Sequence, residues 1–363
     1  MNKNELHIIY GNNPLNMVKE VLSTIKIENE IKPEMLIGIK PNLVVAKPAC
    51  EGATTHPEIV EGVIQYLKEK GFNNIIILES SWVGESTAMA YKVCGYEDIS
   101  KRYNIPLFDL KKDSYEIRNS GTMDLKVCKK ALEVDYLINM PVLKAHCQTL
   151  FTCSIKNLKG CVPDSEKRRF HSLGIHKPIG NLAKVLKCGL IIVDAICGDL
   201  TFEEGGNPVQ MDRLIIGKDP VLVDTYGASL IGYSKDDIEY IGIAEKIGAG
   251  SSDIEHADIH EYNSSLKSKS KFIPSGKSKR LSEKVIAKDA CSACYGSLIH
   301  ALQRLDEKGL FEKMKSSVYI GQGFRGKSID AIGIGNCTCK FSKNVKGCPA
   351  SAKDIIEFLE KQI

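Results

Sequence analysis

Apolar and polar positions alternate along the first half of the chain with two different periods. Residues 35–45 are apolar and rich in Ile and Val, the pattern of a buried strand. Thr54-Thr55-His56-Pro57 then opens a helix, with Pro57 at the first helical position, where a missing N–H costs nothing. Ile59, Val60, Val63, Ile64 and Leu67 follow at helical spacing, and Gly71 ends the helix before a strand at Ile75–Glu79. Strand, helix and strand in this order make a right-handed unit with a parallel sheet. A helix over 88–102, an extended run at 106–110, strands over 136–143, 189–195 and 214–217, and a helix over 221–231 continue the pattern. The predicted class is α/β, with residues 1–262 as a large domain whose mainly parallel sheet is flanked by helices.

Over 263–282 Ser and Lys dominate, and Lys267, Lys269, Lys271, Lys277, Lys279 and Arg280 have no acidic neighbours in sequence. This is expected to be a solvated linker rather than an anion-binding tract. Residues 283–363 form a small α/β domain of their own: a helix over 297–306, strands over 318–321 and 329–334, and a final amphipathic helix over 351–362.

A chain of 363 residues exceeds what one core usually serves, in agreement with two domains. The formal charge of +4 is too near neutral to imply nucleic acid or membrane as partner. No apolar run approaches the roughly 18 residues that span a bilayer. The first ten residues contain Glu5 and only a short apolar stretch, unlike a secretory signal, so a cytoplasmic location is expected.

Thirteen cysteines change the picture. An odd number in a reducing compartment argues against disulfides. Cys94, Cys128, Cys188 and Cys197 sit among apolar residues and are expected to be packing residues. Five others fall in the last segment. Cys291-Ser292-Ala293-Cys294 precedes a helix, Cys337 follows the strand end Gly333-Ile334-Gly335-Asn336, and Cys348-Pro349 precedes the last helix. Strand C-termini and helix N-termini gather on one edge of an α/β layer. There the positive helix ends and free N–H groups favour thiolates and an anionic inorganic core. The expected ligands of a [4Fe–4S] cluster are Cys291, Cys294, Cys337 and Cys348, with Cys339 as the alternate to Cys337. Structural zinc on the same residues is the alternative.

In the large domain a strand end at 138–143 leads into Lys144, His146, Lys156, Asn157 and Lys159, with Arg168, Arg169, His171 and His176 soon after. Cations and imidazoles at this density suit an anionic small molecule. Lys144, His146 and Lys156 are the candidate catalytic groups; Lys40, Asn42, His56, Asn157 and Lys159 are the candidate binding groups. Asp194, Asp199, Glu203 and Glu204 offer the opposite charge, as a base or as second metal ligands, and Cys147, Cys153 and Cys161 lie near in sequence. There is no G-x-G-x-x-G after a strand and no phosphate-binding Walker loop. The run Gly321-Gln322-Gly323-Phe324-Arg325-Gly326 opens no helix and is not counted as one.

Lys40-Pro41-Asn42, Thr54-Thr55-His56-Pro57, Pro141-Val142-Leu143-Lys144-Ala145-His146, Lys156-Asn157-Leu158-Lys159-Gly160 and Asp194-Ala195 through Gly205-Gly206-Asn207-Pro208 occur in this order. Together they resemble the signature of the domain of unknown function 362 family, over roughly residues 35 to 235. The chain departs from that pattern at Glu79-Ser80-Ser81-Trp82, where a small Asp-Ser turn is expected. The resemblance implies an α/β fold and an association with iron–sulfur centres, in some members through an attached ferredoxin module whose cysteine spacing differs from this one. In outline the family is also weakly similar to lactate-racemase-type proteins.

Four functions follow as expectations: a redox-linked enzyme with its cluster beside an anion-binding cleft; an electron or cluster carrier for a redox partner protein; an acid–base isomerase; or a domain stapled by zinc.

Overall fold

The structure, a computed structural model, describes residues 1–201, 203, 205–267 and 277–363, with Lys277 and Ser278 described by backbone alone. The main sheet contains β1 (Glu5–Tyr10), β2 (Ile37–Pro41), β3 (Ile75–Glu79) and β4 (Leu107–Asp109). A hairpin of β5 (Tyr115–Asn119) and β6 (Asp124–Cys128) precedes β7 (Tyr136–Met140). A second hairpin, β8 (Lys144–His146) and β9 (Leu150–Thr152), precedes β10 (Leu190–Asp199), β11 (Pro208–Gly217) and β12 (Asp258–Tyr262). The order across the sheet is β12-β1-β11-β10-β7-β2-β3-β4. From β10 to β4 all pairing is parallel. β11 runs antiparallel to both β10 and β1.

Strand side chains alternate between two cores because successive residues point to opposite faces. Ile75 and Ile77 pack with the helices Pro14–Ile25, Pro57–Glu69 and Tyr96–Tyr103, whereas Leu78 enters the core built on His176–Val185 and Pro220–Leu230. The helix expected over 88–102 is two helices, Thr87–Val93 and Tyr96–Tyr103, because Gly95 adopts φ 80° between them. The short run at 214–217 is the end of the ten-residue β11, and its direction is antiparallel.

The C-terminal segment forms a separate sheet of β13 (Val285–Ala287), β14 (Val318–Ile320), β15 (Ile332–Ile334) and β16 (Lys343–Val345), parallel and in chain order. The helices Ser292–Glu307 and Ala352–Glu360 share its core. The first of these begins five residues earlier than expected, so Cys294 lies in its first turn. In the segment expected to be a linker, Lys269 and Lys271 lie outside the described residues. Its flanks are paired: Lys267 with Glu261 at 2.6 Å, Lys279 with Asp237 at 2.9 Å, and Arg280 with Asp306 and Glu312. Among the described residues no helix is long and apolar enough to cross a membrane.

Candidate functional site

A cavity of about 870 Å³ opens at the C-terminal ends of β2, β3 and β7, where the first sheet meets the helix Ser292–Glu307. That edge is where parallel α/β sheets bind ligands, because the loops diverge there and leave a crevice. Its base is a buried ion pair. Lys40 Nζ donates to Glu79 Oε2 at 2.8 Å, to Asn157 Oδ1 at 3.1 Å and to the Pro41 carbonyl at 2.9 Å. Gly160 backs onto this pair so closely that a Cβ there would fall 2.0 Å from Glu79 Oε1.

Four further lysines line the cavity. Lys144 donates to the carbonyls of Ala53 and Glu203 at 2.6 and 3.0 Å; burial, then the charge of Lys156, brings its pKa down to about 7. A neutral amine keeps two N–H donors, so both bonds survive deprotonation. Lys167 donates to the Ser80 and Ser81 carbonyls at 2.8 and 2.7 Å, and burial lowers it to about 8. Burial also lowers Lys156 to about 8, against the pull of Glu203 and Cys147. Unlike the others, Lys156 Nζ has no hydrogen-bond or ion-pair partner among the described residues. Three residues of the cavity lining also carry a side-chain oxygen that is buried without a partner: Asn42 Oδ1, Ser81 Oγ and Thr152 Oγ1. Buried polar atoms nearly always have partners, and those that lack one call for an explanation.

His146 Nδ1 accepts the N–H of Gln148 at 3.0 Å and of Thr149 at 3.2 Å, which assigns the ring proton to Nε2, 3.3 Å from Glu203 Oε1. Burial and then Lys156 hold this imidazole neutral, its pKa well below the usual value. Cys147 donates to Glu203 by both its N–H and its thiol, at 3.0 and 3.2 Å. The donor atoms of His146, Cys147 and Glu203 lie within 4.8 Å of one another, close enough for a metal, although the lysines around them oppose a second cation.

A hydrogen-bonded chain joins this cavity to the C-terminal sheet. Lys159 Nζ lies 3.0 Å from His171 Nε2, and His171 Nδ1 lies 2.5 Å from Ser292 Oγ. Ser292 donates to Gln148 Oε1, and Gln148 Nε2 donates to the Ala290 carbonyl at 3.0 Å. Burial and then Lys159 push His171 down to about 3, so the ring is neutral and its bare Nε2 accepts from the lysine. Lys159 itself is lowered well below the usual lysine value by burial, then by Lys156 and Lys167.

Beyond Ser292 lies a second cavity, of about 120 Å³, lined by Cys291, Cys294, Cys337 and Cys348. The parallel sheet gathers them. Cys291 follows the end of β13 by four residues, and Cys337 and Cys348 follow β15 and β16 by three. Gly335 adopts φ 85°, and a Cβ on it would stand 3.3 Å from Cys294 Sγ. Gln322 Nε2 donates to Cys291 Sγ at 3.3 Å and Arg325 Nε to Cys337 Sγ at 3.4 Å. Cys291 lines the large cavity as well as the small one.

The chain matches the family described as domain of unknown function (DUF362) over residues 37–229, more than half its length. It belongs to the DUF362 family. A thylakoid-associated protein of Synechocystis sp. is 28% identical over 195 residues, 52% of this chain, and the chain spans 59% of that curated relative. Among solved structures, the lactate racemase apoprotein from Thermoanaerobacterium thermosaccharolyticum aligns over 53% of this chain and 52% of its own, with 16% identity and a TM-score of 0.35. A likeness of that degree carries no argument about chemistry.

In this DUF362 protein Lys40, Asn42, Lys144, His146, Lys156, Asn157 and Lys159 all line one cavity. Three expectations need correction. His56 does not line it: its Nδ1 and backbone N–H both donate to Asp194 at 2.8 Å, at the start of the helix Pro57–Glu69. Lys40 and Asn157 are tied to Glu79 and Asn139 and shape the floor instead of presenting free donors. Cys339 is exposed and away from the small cavity. Cys153 and Cys161 are buried in the core; Asp199 caps the turn at Thr201 and Asn207; Glu204 lies outside the described residues. The divergent turn Glu79-Ser80-Ser81-Trp82 does line the cavity. Sequence reasoning missed Lys167, Thr152, Gln322 and Arg325. For the last two there was a signal: Gly321-Gln322-Gly323 follows β14 as Gly335-Asn336-Cys337 follows β15.

Proposed function

We propose that this chain holds a [4Fe–4S] cluster on Cys291, Cys294, Cys337 and Cys348, and that it is a redox-linked enzyme acting on an anionic small molecule in the adjoining cavity. The observation that carries this reading is that Cys291 lines both cavities. Four thiols around one small cavity are the donor set of such a cluster, which supplies a one-electron donor or acceptor when bound. Structural zinc on the same four thiolates is the alternative. Gln322 and Arg325 aim N–H groups at two of the sulfurs, the support a ligating thiolate needs. In the large cavity Lys156 offers the free charge that holds the anion, while the neutral His146 turns its Nε2–H toward Glu203. An electron carrier would need no deep cavity in the first sheet, so the 870 Å³ space favours an enzyme, with electrons exchanged through a redox partner protein. A reducing, cytoplasmic setting, which keeps thiols available as ligands, belongs to the same reading.

The test is anaerobic purification followed by iron and sulfide analysis. The expected content is about four of each per chain. It should fall sharply in Cys291→Ala and Cys348→Ala and hold in Cys339→Ala. A colourless protein with about one zinc per chain would overturn the reading.

A second reading rests on Lys156 alone. An unpaired amine with a pKa of about 8 is suited to take a proton from a carbon next to a carboxylate. Isomerisation of 2-hydroxy acids without any electron donor would favour it over the redox role.

A further inference from the structure

The loops that carry Cys337 and Cys348 have a lopsided charge. Residues 321–350 hold Arg325, Lys327, Lys340, Lys343 and Lys346 against one acid, Asp330. All five cations are exposed, and among the described residues none has a carboxylate within ion-pair distance. Elsewhere in the same domain Arg280, Arg304, Lys308 and Lys353 each pair with an acid.

The cations stay close to the cysteines. Arg325 Nε donates to Cys337 Sγ at 3.4 Å. Lys327 Nζ lies 5.7 Å from the centre of the Phe324 ring, Phe324 packs edge-on against Phe341, and Lys340 precedes Phe341 in the chain. Lys346 stands two residues before Cys348, on a loop tied to that of Cys337 by the Asn336 N–H and the Gly347 carbonyl at 2.9 Å. Lys343 instead donates to Gln362 at 2.6 Å, and Lys288 and Asp289, beside Gly323, offset each other. Of Arg325, Lys327, Lys340 and Lys346, Arg325 alone is bonded to a sulfur, so the other three charges are not spent on the thiolates.

The cysteine site also has two sides. Cys291 lines the large cavity, whereas Cys348 is exposed and Cys337 half-buried among the cations. A cationic face speeds the encounter with a negatively charged protein and turns away a positive one. Nucleic acid or an anionic membrane would answer to the charge as well, but neither accounts for sulfurs exposed in the midst of it.

We propose that Arg325, Lys327, Lys340 and Lys346 form the docking face for a small acidic electron-transfer protein. One electron leaves the reduced centre of that partner and enters the cluster, and no bond is made or broken. This rests on the cluster reading and names the chemistry of its redox partner.

Anaerobically purified full-length protein would be titrated by calorimetry with a plant-type [2Fe–2S] ferredoxin, which is acidic, and with cytochrome c, which is basic. The expected result is that ferredoxin binds, that its affinity falls by about tenfold or more between about 20 and 300 mM salt, and that cytochrome c does not bind. Lys327→Glu with Lys340→Glu should weaken ferredoxin by about tenfold or more and leave iron content, melting temperature and acetate affinity unchanged. Lys346→Glu should weaken it by a smaller factor and covers the case in which the double variant does not fold. Salt-independent binding, equal binding by the double variant, or cytochrome c bound as tightly as ferredoxin overturns the docking face. Single-stranded RNA or phosphatidylserine vesicles bound more tightly than ferredoxin overturn it too. If ferredoxin binds as expected to a protein that holds no iron, the face stands and the cluster reading fails. If iron and sulfide reach about four each and ferredoxin does not bind, the cluster reading stands and the face fails.

Discussion

Lys40 and Lys156 are both lysines beside the same cavity, yet their surroundings assign them opposite work. Lys40 is fully buried and spends its three donors on Glu79, Asn157 and a carbonyl. Removing one partner of a buried pair leaves an uncompensated charge, at a cost of about 3–5 kcal/mol. Lys40→Met should therefore lower stability by that order in denaturant unfolding, and Lys40→Met with Glu79→Gln, which removes the charge and keeps an acceptor, should recover part of it. The rescue is carried only by a side chain that still accepts, since Glu79 also takes the buried N–H groups of Leu43 and Ser80 at 3.1 and 2.7 Å. If the single variant is as stable as wild type, the pair is not a structural floor. Lys156 has no such partners, and its charge is free for a ligand. Its pKa of about 8 means the protonated form prevails below that pH and the neutral amine above it. Anion affinity should accordingly fall as pH rises through about 8, and in Lys156→Gln it should be weak with no such pH step. A flat profile in wild type would place the anion elsewhere.

At the level of elements, the short helix Ser154–Asn157 is held by a residue far away in sequence. Asp224, on Pro220–Leu230, accepts from Ser154 N–H at 2.7 Å, Ser154 Oγ at 2.6 Å and Ile155 N–H at 3.2 Å. Asp224→Ala leaves the N–H groups of Ser154 and Ile155 buried and unpaired, while Ser154 Oγ keeps the Pro220 carbonyl at 3.2 Å, a loss of about 3 kcal/mol. It should also weaken anion binding although it touches no ligand, because Lys156 sits on the turn it anchors. Wild-type affinity in that variant would show that the turn holds itself. Such long-range dependence explains what the sequence could and could not show. Pro57 at a helix start and the apolar run Ile75–Glu79 are local signals, and both elements stand where they were expected. The direction of β11 is set by pairing with β1 and β10, strands remote in sequence, so its local pattern does not reveal it. The cysteines stood out because two groups precede helices and Cys337 follows a strand; the strands β13 and β16, which end just before Cys291 and Cys348, are too short to show in the pattern.

Across the whole molecule, the two sheets meet at a joint made of polar contacts. Lys159, His171, Ser292 and Gln148 connect the floor of one cavity to the residue beside Cys291, and Gln322 Nε2 adds a bond to the Ser172 carbonyl at 2.7 Å. The joint places the small cavity against the large one, and every functional claim above depends on that adjacency. The most direct measurement is the electron paramagnetic resonance spectrum of the chemically reduced protein, with and without a simple carboxylate such as acetate at a concentration that saturates its binding. Adjacency predicts that the bound anion alters the signal of the reduced cluster in wild type and leaves it unaltered in Lys156→Gln. An identical spectrum with and without saturating anion would contradict it.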